Sequence, residues 1–116
     1  MVQSSLMKPS ISYPDFEKLD IRVGTIVEAT APEWSLKLLR FVVDFGPEIG
    51  TKTIFSGIKK WYAPQDFVGK QFPFLINLEP KKMGEEESQG MMLMADGEEK
   101  PILFEVGHVQ NGTMVR

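Results

Sequence analysis

The chain has no cysteine and only one histidine, His108, in 116 residues. The first absence excludes a disulfide framework, thiolate zinc sites and a cysteine nucleophile. The second removes the usual histidine ligand set and the base of a Ser-His-Asp triad, so His108, next to Gly107, reads as a solvated or turn residue. No apolar run approaches the roughly 20 residues that cross a bilayer as a helix. Met1 to Ser10 carries one lysine and no apolar stretch, unlike a secretory leader. A cytoplasmic setting without a membrane partner is the expectation. A Gly-rich phosphate loop with lysine, a nucleophile elbow and a carboxylate pair with an identifiable partner are also missing. These absences point to a binding protein rather than an enzyme, with no metal and no cofactor.

What is present is ordinary globular material, 42% hydrophobic and 25% charged, enough for one compact domain. Residues 1–11 mix Ser, Pro, Met and Gln without period and read as a tail or packed arm, leaving 12–116 as a single domain. Ser12 can cap a short helix with Pro14 in its first turn, and Phe16 and Leu19, three apart on one face, would plug a core. The period then changes to two. Ile21 to Ala29 alternates and is β-branched, with Gly24 suited to a bulge or bend. Lys37 to Phe45 places Leu39, Phe41, Val43 and Phe45 on one face and Leu38, Arg40, Val42 and Asp44 on the other.

Gly46 to Gly50 is a turn cluster before a returning strand, Thr51 to Ser56. Pro64 to Val68 reads as one helical turn stopped by Gly69, and Trp61 and Tyr62 beside it would cover a barrel end. The strand holding Phe72, Phe74 and Ile76 should be an edge or bulged at Pro73, which donates no ladder hydrogen bond. Met91 to Ala95, the Asp96-Gly97 turn and Ile102 to Phe104 supply a last hairpin, and Asn111-Gly112 marks a final turn. Short strands with only short helices predict an all-β barrel, because closure removes exposed edges.

The net charge of -3 argues against a nucleic-acid partner, but its distribution argues for one. From Trp34 to Gly84 eight basic residues face four acidic ones, a balance of +4, while the rest of the chain has five against twelve, or -7. A basic middle folded onto one face would be felt by a phosphate backbone within a Debye length of about 8 Å. An ordinary solvated strand face accounts for the same pattern. Basic and aromatic side chains are interleaved at Lys59-Lys60-Trp61-Tyr62, and Trp34 sits in a polar loop, an arrangement that can stack bases while holding phosphates. Glu85-Glu86-Glu87 reads as an exposed acidic loop rather than a divalent-ion cage, whose ligands are spaced.

A series of stretches resembles a known family. They are Asp15-Phe16-Glu17-Lys18-Leu19-Asp20-Ile21-Arg22-Val23-Gly24-Thr25-Ile26-Val27, then Lys37-Leu38-Leu39 leading to Val43-Asp44, Ser56-Gly57-Ile58, Asn77-Leu78-Glu79-Pro80-Lys81-Lys82 and Glu87-Ser88-Gln89-Gly90-Met91. In this order they are similar to the OB-fold tRNA-binding domain. That family occurs as stand-alone dimeric tRNA-binding proteins, as the C-terminal module of some methionyl-tRNA synthetases, and in the secretion-related chaperone CsaA. The stretch Asp44 to Gly50 looks more like the CsaA branch.

The resemblance implies a five-stranded OB barrel with a short N-terminal helix and C-terminal extension strands, and a homodimer in which the terminal elements take part. It also implies binding of folded tRNA with little base preference. Carried over by position, Lys37, Arg40, Lys52, Lys81 and Lys82 would meet phosphates, while Ser56 and the turn Ser88, Gln89, Gly90, Met91 would line the same surface. Charge-assisted phosphate contacts fix position without reading sequence, which suits that assignment. Met91 is equally readable as a core position. Where the family usually has His-Pro-x-Ala-Asp, this chain has Ala31-Pro32-Glu33-Trp34-Ser35, and Trp34 is the candidate stacking platform there.

Two other functions fit the same residues. One is a CsaA-like chaperone binding unfolded polypeptide, supported by the Asp44 to Gly50 stretch and by Trp34, Met83 and Met91. The other is an accessory module delivering tRNA to methionyl-tRNA synthetase.

Overall fold

The structure is a computed structural model that describes residues 6–116; the first five residues of the expected 1–11 tail lie outside the described residues. Leu6 to Ile11 are exposed and have no regular structure. Helix α1, Tyr13–Glu17, begins as its sequence asks: Ser12 is extended and its hydroxyl accepts the Asp15 N–H at 3.2 Å, with a proline in the first turn. No residue of the helix is buried. Phe16 is half-buried and Leu19 is 46% exposed, so the expected core plug is absent. With five residues the helix is too short to bury a face, and these side chains instead meet Tyr13, Met114 and Val115 in a surface depression.

The barrel is built from β1 (Ile21–Thr30), β2 (Leu39–Asp44), β3 (Thr51–Ser56), β4 (Gln71–Leu75) and β7 (Met91–Met92), in the antiparallel order β3-β2-β1-β4-β7. Two hairpins add β5 (Lys81–Met83) with β6 (Glu86–Ser88), and β8 (Met94–Asp96) with β9 (Pro101–Leu103). No helix among the described residues is long and apolar enough to cross a membrane.

The period-two reading of β2 holds: Leu39, Phe41 and Val43 are fully buried, while Leu38, Arg40, Val42 and Asp44 are half-buried on the other face. Phenylalanines fill the interior. Phe41, Phe67 and Phe72 stack in series with ring centroids 4.8 and 5.7 Å apart, and Phe45 meets Phe74 edge-on at 5.5 Å. Burying each such ring contributes about 1.5–3 kcal/mol, so this series supplies much of the hydrophobic stabilisation.

Phe67 enters the core from the connection before β4. A 3-10 turn, Pro64–Asp66, carries it in, and Gly69 ends the segment at φ +83. Tyr62 closes the barrel end, its ring edge on Phe67 and its hydroxyl donating to the Pro101 carbonyl at 2.6 Å. Trp61, expected to do the same, stays 40% exposed.

Two further expectations are corrected. The β1 bulge lies at Val27, between Ile26 and Glu28, not at Gly24. Gly24 serves close packing instead: a Cβ there would stand 2.5 Å from Val43 Cγ1. Pro73 lies in an interior strand with regular β1 register, neither edge nor bulge. Its partner Val23 spends both backbone groups on the C-terminal segment, receiving the Gly112 N–H and donating to Thr113 O, each at 2.8 Å. On the other side Pro73 O accepts the Leu93 N–H at 3.0 Å, and the pairing with β7 ends there, where proline has no N–H to return. The segment turning at Asn111-Gly112 thus runs along Ile21 to Val23, held by backbone bonds and an isolated bridge between Arg22 and Met114.

The barrel closes between β3 and residues 88–90 chiefly through side chains. The Ser88 hydroxyl accepts the Phe55 N–H and donates to Gly90 O, both at 3.0 Å. Gln89 binds Thr53 twice, backbone N–H to carbonyl and side-chain oxygen to N–H, both at 2.8 Å. A Cβ at Gly90 would lie 2.7 Å from Leu75 O, so glycine lets the segment approach β4.

Candidate nucleic-acid interface

The β2–β3 register fixes where the candidate residues stand. Leu39 pairs with Ser56 at one end of the ladder and Val43 with Lys52 near the other. Lys52 and Ser56 are therefore on one face of β3 but four residues apart, roughly 13 Å at a strand's rise. Lys37 lies beyond the Ser56 end. Its carbonyl accepts the Lys59 N–H at 3.1 Å, and the Lys59 ammonium donates to Ser35 O at 3.1 Å. Lys37, Lys59 and Ser56 thus form one rim. Among the described residues no carboxylate pairs with Lys37 or Lys59. The sequence marks Lys59 by its place beside Lys60, Trp61 and Tyr62, but only the fold brings it beside Lys37.

Below the rim, Ser56 and Met91 line a shared groove of about 380 Å³ with Trp61 and Met94. Met91 is 45% exposed and its neighbour Met92 takes the core position. A second depression on the other side of Met91 is lined by Phe55, Lys81, Met83 and Ser88.

The β5–β6 hairpin lies over the outer face of β2 and β3. Lys81, Met83, Glu86 and Ser88 share its inward side, as the Ser88 and Glu86 contacts show, whereas Lys82 and Glu87 pair across its outward side. The acidic run is therefore a strand over Glu86–Ser88 rather than a loop. At the tip, Gly84 has φ +63 in a two-residue connection, and its backbone lies against the Trp34 ring, where a Cβ would come within 3.1 Å. The indole rests on Phe55, centroids 6.0 Å apart, and shares a hollow with Glu85 and Glu86.

Arg40 is held by this hairpin. Its Nε and Nη2 donate to the two oxygens of Glu86 at 2.8 Å each, and Nη1 donates to Glu28 at 3.1 Å. The hydrogen bond to Glu86 is the main reason the guanidinium pKa is raised, and the same bond lowers the Glu86 carboxyl. Both Glu86 and Glu28 were missed as Arg40 partners, since Glu86 is 46 residues away in sequence.

The fold groups Lys37 with Ser56 at the rim and Ser56 with Met91 in the groove, spends Ser88, Gln89 and Gly90 on closing the barrel and Arg40 on two glutamates, puts Lys81 and Lys82 on opposite faces of the hairpin, and leaves Lys52 apart. At the rim two lysines and a serine hydroxyl stand together, groups of the kind that contact phosphate.

Comparison with known proteins agrees with this geometry. Over 94 residues the chain is 48% identical to a methionine–tRNA ligase of Porphyromonas gingivalis, covering 81% of this chain and 14% of that protein. A methionine–tRNA ligase of Pyrococcus horikoshii is 41% identical over 107 residues, 91% of this chain and again 14% of the relative. The chain thus spans about one-seventh of these curated relatives. Among solved structures, a MetRS-related protein from Pyrococcus horikoshii superposes with a TM-score of 0.87 at 34% identity, covering 94% of this chain and all of the other. The chaperone CsaA from Bacillus anthracis str. Ames gives 0.82 at 29% identity, covering 93% and 100%. The family described as putative tRNA binding domain matches residues 21–114, nearly the whole barrel with its C-terminal extension, and the chain belongs to that family.

Proposed function

We propose that this chain binds folded tRNA without catalysis, in the cytoplasm, as a homodimer. The observation that carries the reading is the rim where Lys37 and Lys59 stand beside Ser56, neither lysine paired with a carboxylate among the described residues, next to the groove lined by Met91 and Asp96. Lys81 and Lys82 add cations on the two opposite faces of the hairpin, Lys82 across from Glu87, and Lys52 supplies a more distant phosphate contact. Ser88, Gln89 and Gly90 act by fixing the position of Met91. Trp34 offers an exposed indole, but Glu85 and Glu86 share its hollow, which favours a supporting role for it over base stacking. The dimer would use the apolar surface of Tyr13, Phe16 and Leu19 with Met114 and Val115, where α1 meets the C-terminal segment.

The test is a tRNA titration across salt. Wild type is expected to lose affinity steeply as salt rises. Both Lys37→Glu/Lys59→Glu and Lys81→Glu/Lys82→Glu should weaken binding at least tenfold and flatten the slope. Binding that ignores salt and both charge reversals would overturn the reading.

A second reading has its own observation: the methionine-rich groove with exposed Trp61 suits an unfolded apolar segment, and the CsaA likeness covers the same barrel. Suppression of client aggregation that survives both charge reversals, without tRNA affinity, would select it. Co-purification with methionyl-tRNA synthetase would mark the chain as a tRNA-delivery module for that enzyme.

A further inference from the structure

The outer face of β2 carries a guanidinium whose hydrogen-bonding edges are already filled. The Glu86 carboxylate occupies the Nε/Nη2 fork of Arg40 with two bonds of 2.8 Å, and Glu28 on β1 takes Nη1 at 3.1 Å. A phosphodiester also presents two oxygens and one negative charge, so the planar fork accepts it in the same bidentate way. The pair is at the surface, with side chains 24% and 44% exposed, where a charge pair is held weakly and a competing polyanion can reach it. Among the described residues, Arg40 is the only hydrogen-bond donor to the Glu86 carboxylate. Glu86 lies two residues past the Gly84 turn, on a three-residue strand.

We propose that Glu86 masks Arg40: its carboxylate sits in the guanidinium fork as an internal stand-in for an RNA phosphate, so that β2 carries a phosphate site held shut by the chain's own hairpin. This rests on the RNA-binding reading above. Lys37, three residues before Arg40, binds RNA whether the mask is shut or open, and the mask sets how many further phosphates the chain takes. Glu86 thereby tempers affinity for any polyanion, which favours RNA presenting phosphates at several points over a short or flexible strand. Glu28 keeps one edge of the guanidinium oriented after Glu86 leaves.

The test is a salt-resolved tRNA titration of four single variants and one double. Glu86→Gln is expected to raise affinity about threefold to tenfold at low salt and to steepen the slope of log affinity against log salt by roughly one phosphate equivalent. Glu85→Gln removes the same charge one residue away and should stay within about twofold of wild type, with an unchanged slope. Arg40→Gln should leave wild-type binding nearly unaltered, and Arg40→Gln/Glu86→Gln should lose the gain of Glu86→Gln. Glu28→Gln should have a smaller effect in the direction of Glu86→Gln. Trp34 emission and the thermal midpoint of each variant report whether the hairpin remains docked.

An equal gain from Glu85→Gln and Glu86→Gln would overturn the mask and leave RNA binding standing, since net charge would explain both. A loss of affinity and slope in Arg40→Gln alone would overturn it as well, because Arg40 would then already hold a phosphate in the wild type. If no variant, wild type included, shows salt-dependent tRNA binding, the RNA-binding reading falls and the mask falls with it.

Discussion

Lys37 and Arg40 are three residues apart, yet their surroundings differ completely. The loop approaching β2 leaves Lys37 beside Lys59 with neither ammonium paired to a carboxylate among the described residues. One strand residue further, the outer face of β2 meets the β5–β6 hairpin, and Arg40 is shared between Glu86 and Glu28. A run of basic residues therefore does not make a basic face. The field a phosphate meets depends on which acids the topology returns to each cation, and here the acids come from β1 and from a hairpin far along the chain. Among the described residues the rim lysines have no carboxylate partner, while Arg40 on the hairpin side is spent on Glu86 and Glu28.

The largest effect tests whether the two regions share a foundation. Phe67 touches Phe41, Phe72 and Tyr62, so it supports the barrel end below the rim and the sheet below the hairpin. Phe67→Ala should cost about 3–5 kcal/mol and lower the urea midpoint in a single transition seen alike by circular dichroism and tryptophan emission. Two separate transitions would mean that the regions are independently stable and that the contrast between them is one of folding units.

A smaller effect isolates the hairpin. Ser88 is 6% exposed and supplies the acceptor for the Phe55 N–H. Ser88→Ala leaves that N–H and the Gly90 carbonyl without their partner, at a cost of about 1–3 kcal/mol. Amide hydrogen exchange should quicken at Phe55 and along β5 and β6, with the rim amides of Lys59 and Trp61 unchanged. Faster exchange at both places would show that the seam supports the rim too.

Gly84→Ala should be milder still. It places a side chain at φ +63 and pushes on the Trp34 ring from 3.1 Å, for about 1 kcal/mol. In a Trp61→Phe background Trp34 alone reports, and its emission should shift towards that of a solvated indole.

The two regions also differed in how far the sequence revealed them. The strands were legible because each signal was local: Leu39, Phe41 and Val43 recur at every second position, Ser12 caps its own helix, and Gly69 stops its own turn. The rim was half legible, since Lys37 and Ser56 were marked by motif, while Lys59 joined them only through a backbone contact 22 residues away in sequence. The hairpin face was not legible. Nothing local says that Glu86 reaches Arg40, that Ser88 is spent on barrel closure, or that Phe16 and Leu19 stay outside the core. Period and motif give a residue's face and type; pairing across dozens of residues depends on a register that those signals do not carry.

The smallest effect concerns pH and distinguishes the regions by charge alone. The hydrogen bond from Arg40 holds the Glu86 carboxyl below the ordinary glutamate range. A group depressed in this way stabilises the fold at every pH above its unfolded value and loses that contribution as pH falls through the lowered one. Arg40 is shifted upward and remains charged throughout, so the loss comes from Glu86. The hairpin should therefore stay docked at neutral and mildly acidic pH and loosen only once pH drops below the usual carboxyl range. In the Trp61→Phe background this appears as a modest change in Trp34 emission on the acid side, which Glu86→Gln should abolish because its amide does not titrate. Among the described residues no carboxylate pairs with the rim lysines, and the Lys59 amide should show no corresponding shift over the same range. An acid transition of equal size in Glu86→Gln would trace the response to other carboxylates and remove the electrical distinction between the two faces.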